Sequence, residues 1–209
     1  MQKRVCDPYA APPGNVGQTN LVLFKLVLET TEAAWSIGDP SPMTRIALFT
    51  SGLATVAFAL MAGFFYTYSI SVMPGLDAAP PRSAIEAMQG INIEVRNAWF
   101  ASAFFGALPL SVVAVLLLWL TGQRLKAILM LAALAAYVAG TFMVTVSTNV
   151  PLNEALAALI VTQDLDVATV WADYSQEWTA ANHIRAISAC LAALLAAAAS
   201  FATARAVTS

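Results

Sequence analysis

Trp178-Thr-Ala-Ala-Asn182-His183-Ile-Arg185 is the stretch best equipped for chemistry. His183 is the only histidine, and its unperturbed pKa lies near neutrality. It could act as a general base, a proton relay or a single axial ligand. It could equally be an interfacial histidine bonded to a neighbouring carbonyl. Arg185 lies just inside an apolar run, where a charge must be paired, turned into a bundle or snorkelled to the headgroups. Its candidate partners are Glu94, Glu154 and Glu177, and the side-chain carbonyls of Asn149 and Asn153. On a helix Trp178, Asn182 and Arg185 recur at i, i+4 and i+7 and share a face. Asn182 could then help Arg185 hold an oxyanion, or simply bond between helices. His183, Arg185 and Asn182 form the expected catalytic set.

The two cysteines, Cys6 and Cys190, are far apart and show no CxxC or Cys/His spacing. No metal site and no protein-held cofactor is expected. Walker, Rossmann and nucleophile-elbow patterns are absent.

The elements that must position this stretch are membrane helices. The chain has 209 residues, 59% of them hydrophobic and only 11% charged. A soluble domain carries about a quarter charged residues. The net charge of −2, without a basic stripe, excludes nucleic acid as a partner. Apolar stretches run from Ile46 to about Met73, Trp99 to Leu120, Ala127 to about Val146 and about Ile184 to Ala202. Each is near the roughly 20 residues needed to cross a bilayer. Lipid leaves no backbone group unpaired, so the expected fold is all-α: an integral membrane four-helix bundle. Pro81 with Ser83 and Glu86 reads as a helix start with a capping box. Asn149 with Pro151 reads as an N-cap. Both place short helices in the outer connections. Ser51, Gly52, Gly63, Ala132, Gly140 and Ala189 belong to stripes of small residues that let helices approach closely.

Residues 1–42 form an expected cytoplasmic tail, disordered over 1–18 and carrying an interfacial helix over 19–37. Residues 43–209 form the four-span domain, and Met43 is a candidate functional start. Four spans put both termini on one side with Lys3, Arg4, Lys25, Arg45, Arg124, Lys126 and Arg205. Only Arg82, Arg96 and Arg185 lie opposite. The positive-inside rule therefore expects cytoplasmic termini. Polar and bulky residues gather at the outer end, which suggests a pocket there. Tyr66, Met88 and Trp178 are the candidate walls, and Asn92, Asn149 and Asn153 the candidate polar contacts. Tyr66 shares a face with Ser69, which makes it the better inward tyrosine of the Tyr66 and Tyr68 pair.

Several of these segments together resemble a known family. They are Ala62-Gly63-Phe64-Phe65-Tyr66-Thr-Tyr68-Ser69, Val72-Met73-Pro74, Ala87-Met88-Gln89-x-Ile91-Asn92, Asn149-Val-Pro151-Leu-Asn153 and the Trp178–Arg185 stretch. In this order they resemble the membrane family that includes the fungal anthrone oxygenases, over roughly residues 46–203. The resemblance implies a four-span bundle and cofactor-poor oxidation of an anthrone to an anthraquinone. A base, an oxyanion stabiliser and an apolar aromatic slot would serve such a reaction. The expected partners are membrane lipids, a hydrophobic aromatic small molecule and O2. The competing expectation is a non-enzymatic accessory subunit or a binder of quinone or lipid, whose polar cluster only locks the helices.

Overall fold

The structure, a computed structural model, describes residues 40–201 together with Lys25. The expected tail and interfacial helix fall outside the described residues. Five helices follow in order: α1 (Pro42–Asp77), α2 (Pro81–Glu94), α3 (Ala98–Leu120), α4 (Arg124–Ala157) and α5 (Val167–Phe201). Among the described residues there is no strand. All but α2 are long and apolar enough to cross a membrane, so this is an integral membrane bundle. α1 and α4 each pack on both α3 and α5, which closes a four-helix ring.

One end of the ring is a tight hairpin. Gly122 takes φ +77°. This lets Gln123 N–H reach Leu118 O at 2.9 Å and Gly122 N–H reach Trp119 O at 3.2 Å, a Schellman ending for α3. Trp119 packs under Arg124, whose guanidinium carbon is 3.9 Å from the ring centroid. Trp99 stands fully outside at the other end of α3. Twenty residues of helix separate the two tryptophans by about 30 Å, the thickness of a hydrocarbon core. Tryptophan at both ends marks the two interfaces.

At the opposite end α2, the last turns of α4 and the first turns of α5 form a cap. Met73, Ile85, Met88, Leu156 and Trp171 build its core. Arg82 donates to the carbonyls of Val161 and Thr162 at 2.9 and 2.6 Å. Gln89 donates to Leu156 O at 2.8 Å. Trp171 Nε1 donates to Asp77 at 2.9 Å. The Arg82 bonds supply partners to backbone that has left the helices.

Several boundaries differ from the sequence expectation. α1 does not stop at Pro74-Gly75. A π turn over Tyr68–Val72 sends Met73 N–H to Tyr68 O and carries the helix to Asp77. The wider turn accommodates a proline that would otherwise crowd the carbonyl four residues back. Asn149 is not an N-cap; it ends a π turn over Thr145–Asn149, and α4 runs on through Pro151. Ser83 and Glu86 form no capping box. Pro80 is the N-cap and makes no side-chain bond, while Pro81 opens the helix with its fixed φ. α5 starts well before Ile184, at Val167. Asp166 ahead of it accepts from Thr169 N and Thr169 Oγ1 at 3.2 and 2.8 Å, bonds that hold its carboxyl below the usual range.

The small-residue stripes pack the hairpin half of the bundle. Ala47 and Ala54 of α1 and Ala189, Ala192 and Ala196 of α5 are wholly buried. The glycines are not equivalent. A Cβ on Gly140 would fall on the side chain of Ser188, whereas Gly52 and Gly63 face open space. Gly140→Ala should therefore destabilise the bundle by about 1–3 kcal/mol through overpacking. Gly52→Ala should leave thermal unfolding in mild detergent unchanged or slightly raised.

Candidate functional site

A cavity of about 550 Å³ lies between the capped ends of the spans. That size suits a small organic ligand. Its wall is aromatic: Phe64, Phe65 and Tyr68 from α1, Phe100 and Phe104 from α3, and Trp178 from α5. Phe64 touches Tyr68 and Phe100 at centroid distances of 5.0 and 5.1 Å, and Tyr68 touches Trp178 at 5.2 Å. The polar groups come from different elements. Asn92 stands on α2, Arg96 and Asn97 on the connection from α2 to α3, Thr145, Asn149 and Asn153 on α4, and Arg185 on α5. No carboxylate lines the cavity among the described residues.

Arg185 is only 4% exposed. Its guanidinium carbon sits 4.5 Å from the Phe65 ring centroid and 4.8 Å from that of Trp178. Two aromatic faces thus contribute cation–π attraction in place of water. Nη2 donates to Asn182 Oδ1 at 2.9 Å, and Nη1 reaches Thr145 Oγ1 at 3.5 Å. Glu94, Glu154 and Glu177, the carboxylates expected to neutralise it, are all exposed. The charge is held by neutral dipoles and rings.

Asn182 is wholly buried and fixes that arrangement. Its Nδ2 donates to Phe65 O and Ser69 Oγ, both at 2.9 Å, immediately around the start of the π turn in α1. That leaves Oδ1 aimed at Arg185. Asn153 Oδ1 accepts from Tyr174 OH and Trp178 Nε1, both at 2.8 Å. Two donors on one oxygen set the orientation of its amide. Asn149 Nδ2 donates to Trp178 O at 3.2 Å, which fixes that amide too.

Three buried polar atoms on this cavity's residues make no hydrogen bond: Asn92 Nδ2, Asn149 Oδ1 and Arg185 Nε. Leaving a buried polar atom unpaired costs about 1–3 kcal/mol. All three belong to residues that border one void, although the atoms themselves are covered.

The structure gathers Asn92, Asn149, Asn153, Trp178 and Arg185 around the cavity, with Asn182 directly behind Arg185. It does not bring in the others. Tyr66 is 53% exposed, and Tyr68 occupies the inward position instead. The buried set Phe58, Met61, Ala62, Phe65 and Tyr68 follows helical spacing and excludes residue 66. Met88 is wholly buried in the cap core and does not reach the wall. His183 is exposed, and its Nδ1 lies 3.0 Å from Ser69 Oγ. It is connected to Arg185 only through Ser69 and Asn182. Tyr68, Phe65, Phe100 and Thr145 line the site without having been singled out from sequence as its wall. Their signal was present in the inward faces of α1, α3 and α4.

Unequal roles for neighbouring residues follow. Asn182→Ala removes three hydrogen bonds and strands the Arg185 guanidinium. Each lost bond to a charged group contributes about 1.5–3 kcal/mol, so a clear drop in thermal stability is expected. His183→Ala removes one contact at the surface and should change stability by less than about 0.5 kcal/mol. Equal effects in a detergent melting experiment would contradict this placement.

The family model described as anthrone oxygenase matches residues 97–195. The matched span holds α3, α4 and most of α5, with Asn149, Asn153, Trp178, Asn182 and Arg185. No curated protein and no solved structure matches the chain. The matched span, a little under half of the chain, includes the polar residues of the cavity other than Asn92 and Arg96, and over that span this integral membrane protein is similar to the anthrone oxygenase family.

Proposed function

We propose that the cavity takes a flat, hydrophobic aromatic ketone of the anthrone type and oxidises it with O2 without a bound cofactor. The ring-rich lining with the buried Arg185 guanidinium at its polar side carries this reading. A ring system would stack among Phe64, Tyr68, Phe100 and Trp178. Its oxygen would take donation from Asn92 and Arg185, and a hydroxyl could satisfy Asn149 Oδ1. An anthrone is acidic at the carbon opposite its carbonyl. Losing that proton puts negative charge on the carbonyl oxygen, where a desolvated cation stabilises it more than the neutral ketone. The electron-rich carbon then reduces O2. One oxygen atom stays on carbon as the new carbonyl and the other leaves as water, with the two hydrogens of the original CH2 group. Arg185 is the proposed oxyanion stabiliser, Asn182 its positioning residue. His183, outside the wall, is the outer end of the same bonded chain, so any part it takes in proton transfer runs through intervening groups.

That no histidine or carboxylate lines the cavity among the described residues favours a second reading. The protein would then bind a quinone-like molecule without converting it.

Oxygen uptake by purified protein in proteoliposomes with added anthrone separates the two. Turnover above the uncatalysed rate is expected, with Arg185→Gln lowering it by about 10²–10³. His183→Gln should lower it by less than about tenfold, short of the loss from removing a direct general base. Binding without uptake would leave the binder reading. No binding of anthrone or anthraquinone would remove both.

For orientation, we propose cytoplasmic termini, from the basic residues counted above. Reporter fusions after Arg124 and after Asp164 should land on opposite sides, with Arg124 cytoplasmic.

A further inference from the structure

A second, larger hollow of about 1090 Å³ lies on the flank of the bundle, between α1 and α3 and under α2. Its floor is apolar. Leu53, Val56, Leu60 and Met61 come from α1, and Ala103 and Leu110 from α3. Val56 and Leu60 are each 57% exposed, on a helix that crosses the membrane, so the groove opens towards lipid. From Leu53 to Phe64 is eleven residues, or about 16 Å along the helix. The groove therefore starts near the middle of a hydrocarbon core of about 30 Å and climbs to the cap.

The groove ends where the cavity begins. Phe64, Tyr68, Val95, Asn97 and Phe100 line both. Phe64 on α1 meets Phe100 on α3 with centroids 5.1 Å apart, and both are half-buried. This ring pair and Tyr68 belong to the lining that the two hollows share, with Val95 and Asn97. Two phenyl rings can part by χ1 and χ2 rotation without breaking a hydrogen bond.

We propose that this groove is a lateral portal through which a membrane-dissolved aromatic ketone reaches the cavity, with Phe64 and Phe100 as its door. The proposal rests on the ligand class assigned above. Such a molecule concentrates in the bilayer because water rejects its apolar surface. A site fed from the aqueous end would have to draw on the small fraction left in solution. The continuity of the two linings favours the same occupant for both. A resident acyl chain is the competing occupant, and it would leave the groove permanently plugged.

Anthraquinone, the unreactive product, is the probe. Its binding to full-length protein in liposomes is followed by stopped-flow quenching of tryptophan fluorescence. Gly90→Leu and Leu60→Trp each fill the groove from a position with room: a Cβ on Gly90 meets nothing within 4 Å, and Leu60 faces outward. Neither residue lines the cavity. Both variants should slow association and dissociation alike, by about tenfold or more, while the equilibrium affinity stays unchanged. Unchanged rates in both variants would overturn the portal, as they would for a groove plugged by lipid. A loss of affinity with no change in association rate would also overturn it, because the groove would then be part of the binding site. Failure of the wild-type protein to bind anthraquinone would instead strike at the ligand class, and the portal would fall with it.

Discussion

A cation buried without a carboxylate is the constraint around which the capped end of this bundle is built. Arg185 cannot be left in a dry bundle without dipoles and rings to replace its water. Phe65 and Trp178 supply the rings, while Asn182 and Thr145 supply the oxygens. Each supporting group is itself held by a neighbour. Asn182 is locked to α1 through Phe65 O and Ser69, and Trp178 is locked to α4 through Asn153 and Asn149. None of these bonds cancels the charge. A neutral lattice thus holds an uncancelled charge beside the cavity, and the proposed oxyanion role of Arg185 rests on it.

The room for that partner comes from departures from α-helical geometry. Besides a π turn over Tyr137–Phe142 in α4, α1 and α4 each widen into a π turn shortly before Pro74 and Pro151, over Tyr68–Val72 and Thr145–Asn149. Each of these last two supplies cavity residues: Tyr68 from the first, Thr145, Val146 and Asn149 from the second. An extra residue in a turn rotates everything after it around the helix axis. At the hairpin end the same helices stay regular and meet through alanines. One pair of helices thus seals one end of the bundle and opens the other. The cap closes what the π turns open: α2 carries Asn92 into the cavity roof, while Gln89 bonds a carbonyl in the last turn of α4 and Arg82 bonds carbonyls beyond it.

The sequence by itself determined the all-helical class, the number of spans and the polar face of Trp178, Asn182 and Arg185. These are properties of composition and of 3.6-residue spacing, which lipid enforces because no other backbone arrangement satisfies its own hydrogen bonds. The same spacing already separated His183 from that face. It is one residue, about 100° of helix rotation, from Asn182 and about 200° from Arg185. Proximity in the chain made them look like one mouth. Tyr66 is a similar case, off the stripe that ends in Tyr68. What only the tertiary structure decided was register and pairing. Whether Pro74 and Pro151 end helices or are absorbed by π turns depends on what packs beside them, and so Asn149 became a cavity residue instead of a cap. Whether Arg185 finds a glutamate or an asparagine depends on which side chains the bundle turns inward, and all three candidate glutamates face out. The cavity exists only between helices, in the space that those choices leave.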